Sequence, residues 1–506
     1  MIYTQNMSTP KEIFDLFIIG GGVNGTGIAA DAAGRGLSVF LAEQNDLASA
    51  TSSSSSKLIH GGLRYLEHYE FRLVKEALAE REILLKNAKH IMWPLTFRLP
   101  HQPHLRPAWM IRIGLFLYDN LAKRETLRGS RGIKFDHNSP LKTHITKGFE
   151  YSDGWVDDSR LVVLNALQAA QKEAQIHTRC KCIKAERTGK FWKVTIQSTI
   201  DHSTKEVYTK GIVNAAGPWV SRLFDDIIPT KAPKQIRLVK GSHIIVPRLH
   251  DQHQAYILQN QDKRIVFVLP YEQDFSLIGT TDIDYRGDPS EVAIDNDEIN
   301  YLISISNSHF KTQISKADIV ANFSGVRPLI DDQSSQAQAV TRDYTLTLDS
   351  ENQLPLLSVF GGKITTYRKL AENVVDKLQP FYPQMTAPWT HLIPLPGGKF
   401  DCFDSLISQL NKQYPFIDES QLKRYARSYG TYTEVLLEGV ASTQQLGKHF
   451  GADLYEVEIN YLLKTEWAIE AEDILWRRSK LGLKLNEQQV EQLKLYLRSR
   501  PEFAAA

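Results

Sequence analysis

The chain has 506 residues, 42% hydrophobic and 23% charged, with 60 basic side chains against 58 acidic for a net charge of +2. These values exclude extensive disorder and a fibrous repeat, and they supply no whole-molecule argument for nucleic acid. The length implies two or three domains, and three cysteines, Cys180, Cys182 and Cys402, are too few for a disulfide framework and point to a reducing compartment. The first residues show no basic segment followed by an apolar one, and no apolar run approaches the roughly 20 residues that span a bilayer. The expected location is therefore the cytosol or the cytosolic side of a membrane, with no signal peptide and no transmembrane helix.

Residues 15–44 read "DLFIIGGGVNGTGIAADAAGRGLSVFLAEQ". A short apolar run, 16–19, passes through glycines into an Ala-rich helical stretch, and a second apolar run, 37–42, ends at an acid. Gly20, Gly22 and Gly25 hold the G-x-G-x-x-G spacing, which permits a tight turn, close approach to a pyrophosphate and close helix packing. Glu43, 23 residues after Gly20, is placed to accept hydrogen bonds from a ribose. Strand, turn, helix, strand and acid in this order predict a dinucleotide site, while leaving open whether FAD or NAD fills it.

Residues 51–66, "TSSSSSKLIHGGLRYL", have the composition of a linker, but the serines run directly into Lys57, His60, Gly61, Gly62 and Arg64. A nicotinamide dehydrogenase would place another βα unit here. Instead a small-residue loop leads to a long amphipathic helix, and hydroxyls that both donate and accept can follow an extended cofactor.

These two stretches, with "FEYSDGWVDDSRLVVLNA", "LVKGSHIIVP", "SLIGTTDIDYRGDP", "SGVRPLIDD" and "LLSVFGGKITTYRKLAE", resemble the FAD-dependent, quinone-linked glycerol-3-phosphate dehydrogenases of aerobic bacteria. The likeness covers nearly the whole chain. Ala216 stands where the family often has Thr, and Ser54 where it often has Ala; both are small residues at cofactor-facing turns.

The resemblance implies an α/β plus α+β protein. A Rossmann-like FAD-binding domain of the amino-acid-oxidase type takes 12–87, 150–235 and 325–390, an antiparallel-sheet substrate domain 88–149 and 236–324, and a C-terminal helical domain 395–506. The FAD contacts it implies are Gly20, Gly22, Val23, Asn24, Gly25, Glu43, Thr51, Ser52, Ser53, Ser56, His60, Gly61, Gly62, Ala216, Gly217, Gly361, Gly362, Lys363 and Thr365. "KGIVNAAGPWV" reads independently as a strand delivering a turn beside a ligand, and the glycines of "FGGKITTY" lead into a helix whose first turn can face the flavin. The implied reaction takes hydride from C2 of glycerol 3-phosphate, giving dihydroxyacetone phosphate. Arg64, Arg327 and Arg342 are candidates for the phosphate, because forked guanidinium donors suit a dianion. Lys363 and Arg327 join His243, the candidate base, and Thr280 as the catalytic set, with His60 beside the substrate hydroxyl. A lone His in an apolar strand is otherwise a core residue.

Between Lys86 and Lys134 ten Lys or Arg face two acids, Asp119 and Glu125, around Trp93, Trp109, Phe116 and the run "WMIRIGLFLY". This fits a segment lying in a bilayer interface, although an ordinary domain face has the same composition. The family's use of ubiquinone or menaquinone favours a monotopic or peripheral contact with the cytoplasmic face of the inner membrane. Beyond "LIPLPGGKFD" the chain reads as helices at three- and four-residue spacing, fit for packing on the FAD domain or forming a homodimer. There Trp476, Arg477 and Arg478 read as the cap of a buried helix. No metal and no nucleic acid is expected. Two rival readings remain: an FAD-dependent amine or amino-acid oxidase of the same fold, and a basic scaffold that has kept the nucleotide fold without the chemistry.

Overall fold

Continuous apolar runs, rather than alternating ones, mark strands covered on both faces, and the strand Ile13–Ile19 is one of these, with its last four residues buried. The computed structural model describes residues 12–103, 105–262, 264–330 and 343–500, with the backbone alone at 64, 67, 68 and 225. Ile13–Ile19 lies between Val39–Ala42 and Thr204–Asn214, parallel to both. Gln175–His177 and Leu356–Phe360 extend the parallel sheet outward on either side, and antiparallel Thr345–Asp349 closes one edge. The first half of Thr204–Asn214 also carries a meander with Phe191–Ser198 and Cys180–Thr188.

The helix Val23–Gly34 packs against Asp158–Ala170 and Tyr367–Leu378, and ten of its 12 residues are buried. Such a helix needs small residues on nearly every side. Its approach to the preceding strand is closer still: a Cβ on Gly25 would lie 1.9 Å from the Gly20 carbonyl oxygen, and Gly20 itself has φ +111°.

The second sheet has ten strands, mostly antiparallel, built on Ile236–Pro247, which pairs with Ala321–Ile330 on one side and Phe275–Gly279 on the other. It also takes in Leu58–Ile59, Met92–Pro100 and Lys147–Val156. The expected boundaries at 150 and 325 therefore fall inside two strands, Lys147–Val156 and Ala321–Ile330. Both strands pair along their whole length within the second sheet, with partners far off in sequence, so no change of composition marks the boundary.

The connector before the third domain is tied to the nucleotide domain. Tyr382 Oη donates to the Asp15 carbonyl at 2.7 Å and Trp389 Nε1 to the Asp31 carbonyl at 3.2 Å. Helices Phe403–Gln413, Glu419–Tyr429, Glu456–Thr465 and Glu487–Arg498 then enclose a separate core around Leu410, Leu422, Leu462 and Leu493. A small hairpin, His449–Gly451 with Leu454–Tyr455, joins them. Among the described residues no helix is long and apolar enough to cross a membrane.

Gly25→Ala is expected to destabilise the fold by at least about 2 kcal/mol, because both sides of the contact are backbone and neither can yield. Gly132→Ala, whose Cβ meets nothing within 4 Å, is expected to change stability by less than about 0.5 kcal/mol. Chemical denaturation of the two variants measures the contrast.

Candidate active site and cofactor cavity

A cavity of about 1760 Å³ runs between the two sheets, from the glycine turn and Glu43 to Lys363 and Thr365. At one end Glu43 accepts from Gly21 N–H at 2.6 Å and from Asn45 N–H at 2.8 Å. Burial raises its carboxyl above the usual range, against the pull of those two donors. Gly20, Gly22, Val23 and Asn24 line this end. Asn24 Nδ2 donates to the Gly361 carbonyl at 3.4 Å, while its buried Oδ1 has no hydrogen-bond partner among the described residues. A glycine cradle, a carboxylate and an unmet acceptor fit a dinucleotide bearing ribose hydroxyls and a pyrophosphate.

The serine run is ordered, and its polar groups are divided among several partners. Ser52 Oγ accepts from Val23 N–H at 3.0 Å, and Thr51 Oγ1 donates to the Val326 carbonyl at 2.8 Å, crossing from one sheet to the other. Ser55 Oγ donates to Asp158 at 2.7 Å. Lys57, at φ +59°, donates to both oxygens of Asp158 at 2.8 Å and to the Ser53 carbonyl at 2.6 Å. Ser56 Oγ meets His243 Nε2 at 2.9 Å.

At the other end, left-handed Gly361 and Gly362 (φ +82° and +106°) turn the chain from Leu356–Phe360 toward the helix Tyr367–Leu378. Lys363, on that turn, sets its ammonium 3.8 Å from the centre of the Tyr65 ring. Thr365 Oγ1 bridges the backbone N–H and carbonyl of His60, each at 3.4 Å. Across the cavity Arg327 pairs with Asp282 and donates to Thr280 Oγ1 at 3.3 Å.

Most of the expected site residues share this cavity wall: Thr51, Ser52, Ser56, His60, Gly62, Ala216, Gly217, Thr280 and Arg327 join those already named. Four of the expected residues lie off this wall. Gly25 supports the turn from beneath rather than lining the cavity. Ser53 faces Lys57. Gly61 turns away, its N–H donating to Tyr118 Oη at 2.8 Å. His243, 1% exposed, is not on the wall: its ring stacks on Phe323 at 4.8 Å, lies against Gly279, and reaches the cavity only through Ser56. Burial, with Lys57 and Arg327 adding to it, pushes its pKa down to about 3, so it is neutral. Of Arg64 only the backbone is described, and Arg342 lies outside the described residues.

Sequence reasoning missed Tyr65, Asp282, Arg264 and Phe267 on the wall. Only Tyr65 carried a signal, its place directly after the glycine pair and Arg64. Cys180 and Cys182 line the Glu43 end on adjacent same-face positions of one strand, with thiols pushed by burial up to about 11 and about 12.

Because folding holds His243 neutral, its contribution to stability is complete above about pH 6.5 and is lost as pH falls toward about 3. His243→Gln is expected to flatten the pH dependence of the urea midpoint between about pH 7 and pH 5, by up to about 1.4 kcal/mol per pH unit.

The sequence matches the family described as FAD dependent oxidoreductase over residues 15–368, and the C-terminal domain of alpha-glycerophosphate oxidase over residues 388–495. It is 56% identical over 501 residues to a glycerol-3-phosphate dehydrogenase of Pseudomonas aeruginosa, covering 98% of each chain. The aerobic glycerol-3-phosphate dehydrogenase of Escherichia coli is also 56% identical, over 96% of this chain and 97% of the relative. A D-erythritol 1-phosphate dehydrogenase of Brucella abortus is 50% identical, over 94% and 96%. Among solved structures, the glycerol-3-phosphate dehydrogenase of Bacillus halodurans complexed with FAD superposes with a TM-score of 0.76 at 25% identity, over 98% of this chain and 92% of that chain. A glycine oxidase of Bacillus cereus, 16% identical with a TM-score of 0.54, covers 74% of this chain and 99% of its own, and shares the fold alone. With a dinucleotide cradle at one end of the cavity, cations at the other, and likeness along the full length, the chain is an FAD-dependent oxidoreductase and belongs to the FAD-dependent glycerol-3-phosphate dehydrogenase family.

Proposed function

We propose that the enzyme oxidises glycerol 3-phosphate to dihydroxyacetone phosphate and passes the electrons to a membrane quinone. The observation that carries this reading is the pair of cations, Arg327 and Lys363, on the cavity wall of a chain 56% identical to enzymes bearing that name. Bound FAD supplies the hydride acceptor and stores the electron pair until the quinone takes it.

The residues of the chain do the rest. Arg327, aimed by its pairing with Asp282 and by Thr280, receives the phosphate dianion. Arg64 and Arg342 are proposed as its partners there. Lys363 raises the positive potential at the end of the cavity where reduction adds negative charge. Thr280 and His60 orient the C2 hydroxyl. As the C2–H bond breaks to give hydride, the hydroxyl proton leaves through Ser56 toward His243 Nε2. The phosphate neutralises the Arg327 charge that depresses His243, so the imidazole becomes more basic with substrate bound.

Membrane contact falls on the helix Ala108–Asn120. Leu115 and Tyr118 are its buried face, whereas Trp109 (64% exposed), Ile113 and Phe116 form an exposed apolar stripe. Such a stripe, flanked by the basic residues of 86–134, suits insertion among anionic lipids. Met110, Ile113, Gly114 and Leu117 of the same helix also line the cavity. That mouth is the proposed entry for a lipid-soluble quinone, on the cytoplasmic face of the membrane.

Anaerobic titration of the flavin tests the chemistry. Glycerol 3-phosphate is expected to bleach it; Arg327→Ala should weaken substrate binding about 100-fold through loss of a charge-assisted clamp, and Lys363→Ala should chiefly slow reduction. Bleaching by an amino acid but not by glycerol 3-phosphate would sink the reading, and faster bleaching by D-erythritol 1-phosphate would favour the longer polyol phosphate named for one relative.

For the membrane, Trp109→Ser combined with Phe116→Ser is expected to reduce co-sedimentation with anionic vesicles by about tenfold or more. Flavin reduction by substrate in solution should persist in the double variant. Equal binding by variant and wild type would remove this helix as the contact.

A further inference from the structure

The loop between Glu43 and Lys57 is fastened at both ends by buried ion pairs, and one of them comes from the far end of the chain. Fully buried Asp46 accepts from Arg478 through both oxygens, each at 2.8 Å, and from Arg477 Nε at 2.6 Å. Both arginines belong to one wide helical turn, Asp473–Arg478, in which Ser479 N–H donates to the Ile474 carbonyl at 3.0 Å. A turn of this width sets successive side chains closer in angle than an α-helix does, so two neighbours in sequence converge on one carboxylate. The sequence had suggested the cap of a buried helix, and Arg478 does meet the carbonyl of Glu466, the residue that ends the helix Glu456–Thr465.

The contact is braced on every side. Arg478 Nη2 also donates to the Glu466 carbonyl at 2.7 Å, and the Glu466 carboxylate holds buried Arg160 on the helix Asp158–Ala170. Arg179 donates its backbone N–H to the Asn45 carbonyl at 2.9 Å and its guanidinium to Asp473 at 2.9 Å. Lys480 reaches Asp157 at 3.2 Å, next to the Asp158 that holds Lys57. Asp46 stands three residues after Glu43, and the N–H of Asn45 between them donates to Glu43 Oε1. A movement of Asp46 is therefore a movement of Glu43.

We propose that the C-terminal domain is a retention clamp for the cofactor: Arg477 and Arg478 hold Asp46 so that Glu43 stays aimed into the cavity, and FAD leaves when this contact opens. The proposal rests on FAD occupying the cavity with its ribose at Glu43. Arg477 and Arg478 are positioning residues, acting through Asp46. Removing Arg478 takes two of the three charged hydrogen bonds from this buried carboxylate and leaves it Arg477 alone, so it moves toward water and carries Asn45 and Glu43 with it.

The test is FAD release from the holoenzyme, followed as the rise in flavin fluorescence after dilution into flavin-free buffer. Arg478→Met is expected to speed release by about 10- to 100-fold, since a buried carboxylate left with one of its three charged hydrogen bonds is the costly state. Arg478→Lys, which keeps the charge, is expected to recover part of the loss. Arg424→Met breaks a partly buried pairing with Glu458 and Asp453 inside the C-terminal domain, and release should stay within about threefold of wild type because no loop residue is involved. Unchanged release in Arg478→Met, or equal acceleration in Arg424→Met, overturns the clamp. Should Arg478→Met fail to fold, Arg477→Ala is read in the same way, with acceleration supporting the clamp and unchanged release overturning it. A wild-type protein that takes up no FAD would instead sink the cavity assignment.

Discussion

The Gly20 carbonyl and the Cα of Gly25 lie so close that no side chain fits between strand and helix. That one backbone contact sets the angle at which the helix Val23–Gly34 leaves the sheet, and so where its unpaired N–H groups point. It also brings Ala215, at the end of the neighbouring parallel strand, against Gly20. The turn after Ala215 thus joins the glycine turn on one cavity wall. Glu43 arrives there because Val39–Ala42 pairs in register with Ile13–Ile19, ending its strand level with Ile19.

The loop that follows Glu43 performs the joining that two separately folded sheets require. Backbone and hydroxyl groups inside a protein must find partners, and a run of serines supplies both a donor and an acceptor at every step. Thr51 ties the loop to Ala321–Ile330, Ser52 to the nucleotide helix, Ser55 to Asp158, and Ser56 to His243. The cavity is therefore bounded by a segment bonded to both domains. Its small side chains also permit close approach: a Cβ on Gly325 would lie 2.6 Å from that of Ser54.

Charge is managed differently inside the cavity walls and outside them. Lys57 is buried, paired with Asp158 and set over the Phe323 ring, and the same ring stacks on His243. Burial, with Lys57 and Arg327 adding to it, keeps that imidazole neutral. Toward the helix Ala108–Asn120 the wall becomes apolar and then opens onto exposed aromatic side chains. One cavity thus joins a polar, cationic chamber to an apolar mouth.

Local pattern made a good part of this legible. Glycine spacing, the apolar runs on either side and the terminal acid specify a nucleotide turn because they are constraints on neighbouring backbone, and the family likeness carried FAD and the three-part architecture. Pairing between distant residues was not legible. Nothing near Asp46 announces Arg478, 432 residues away, and nothing in "KGSHIIV" tells whether His243 meets the cavity or hides behind Ser56. The expected boundaries at 150 and 325 fall inside strands for the same reason, since the sheet a strand joins is set by partners distant in sequence. By itself the sequence determined the dinucleotide turn and the helical third domain, both consequences of short-range geometry and periodicity. Only the tertiary structure decided which hydroxyl fronts the imidazole, which acid aims Arg327, and that the last domain grips the cofactor loop, because those contacts exist only where separate elements are packed together.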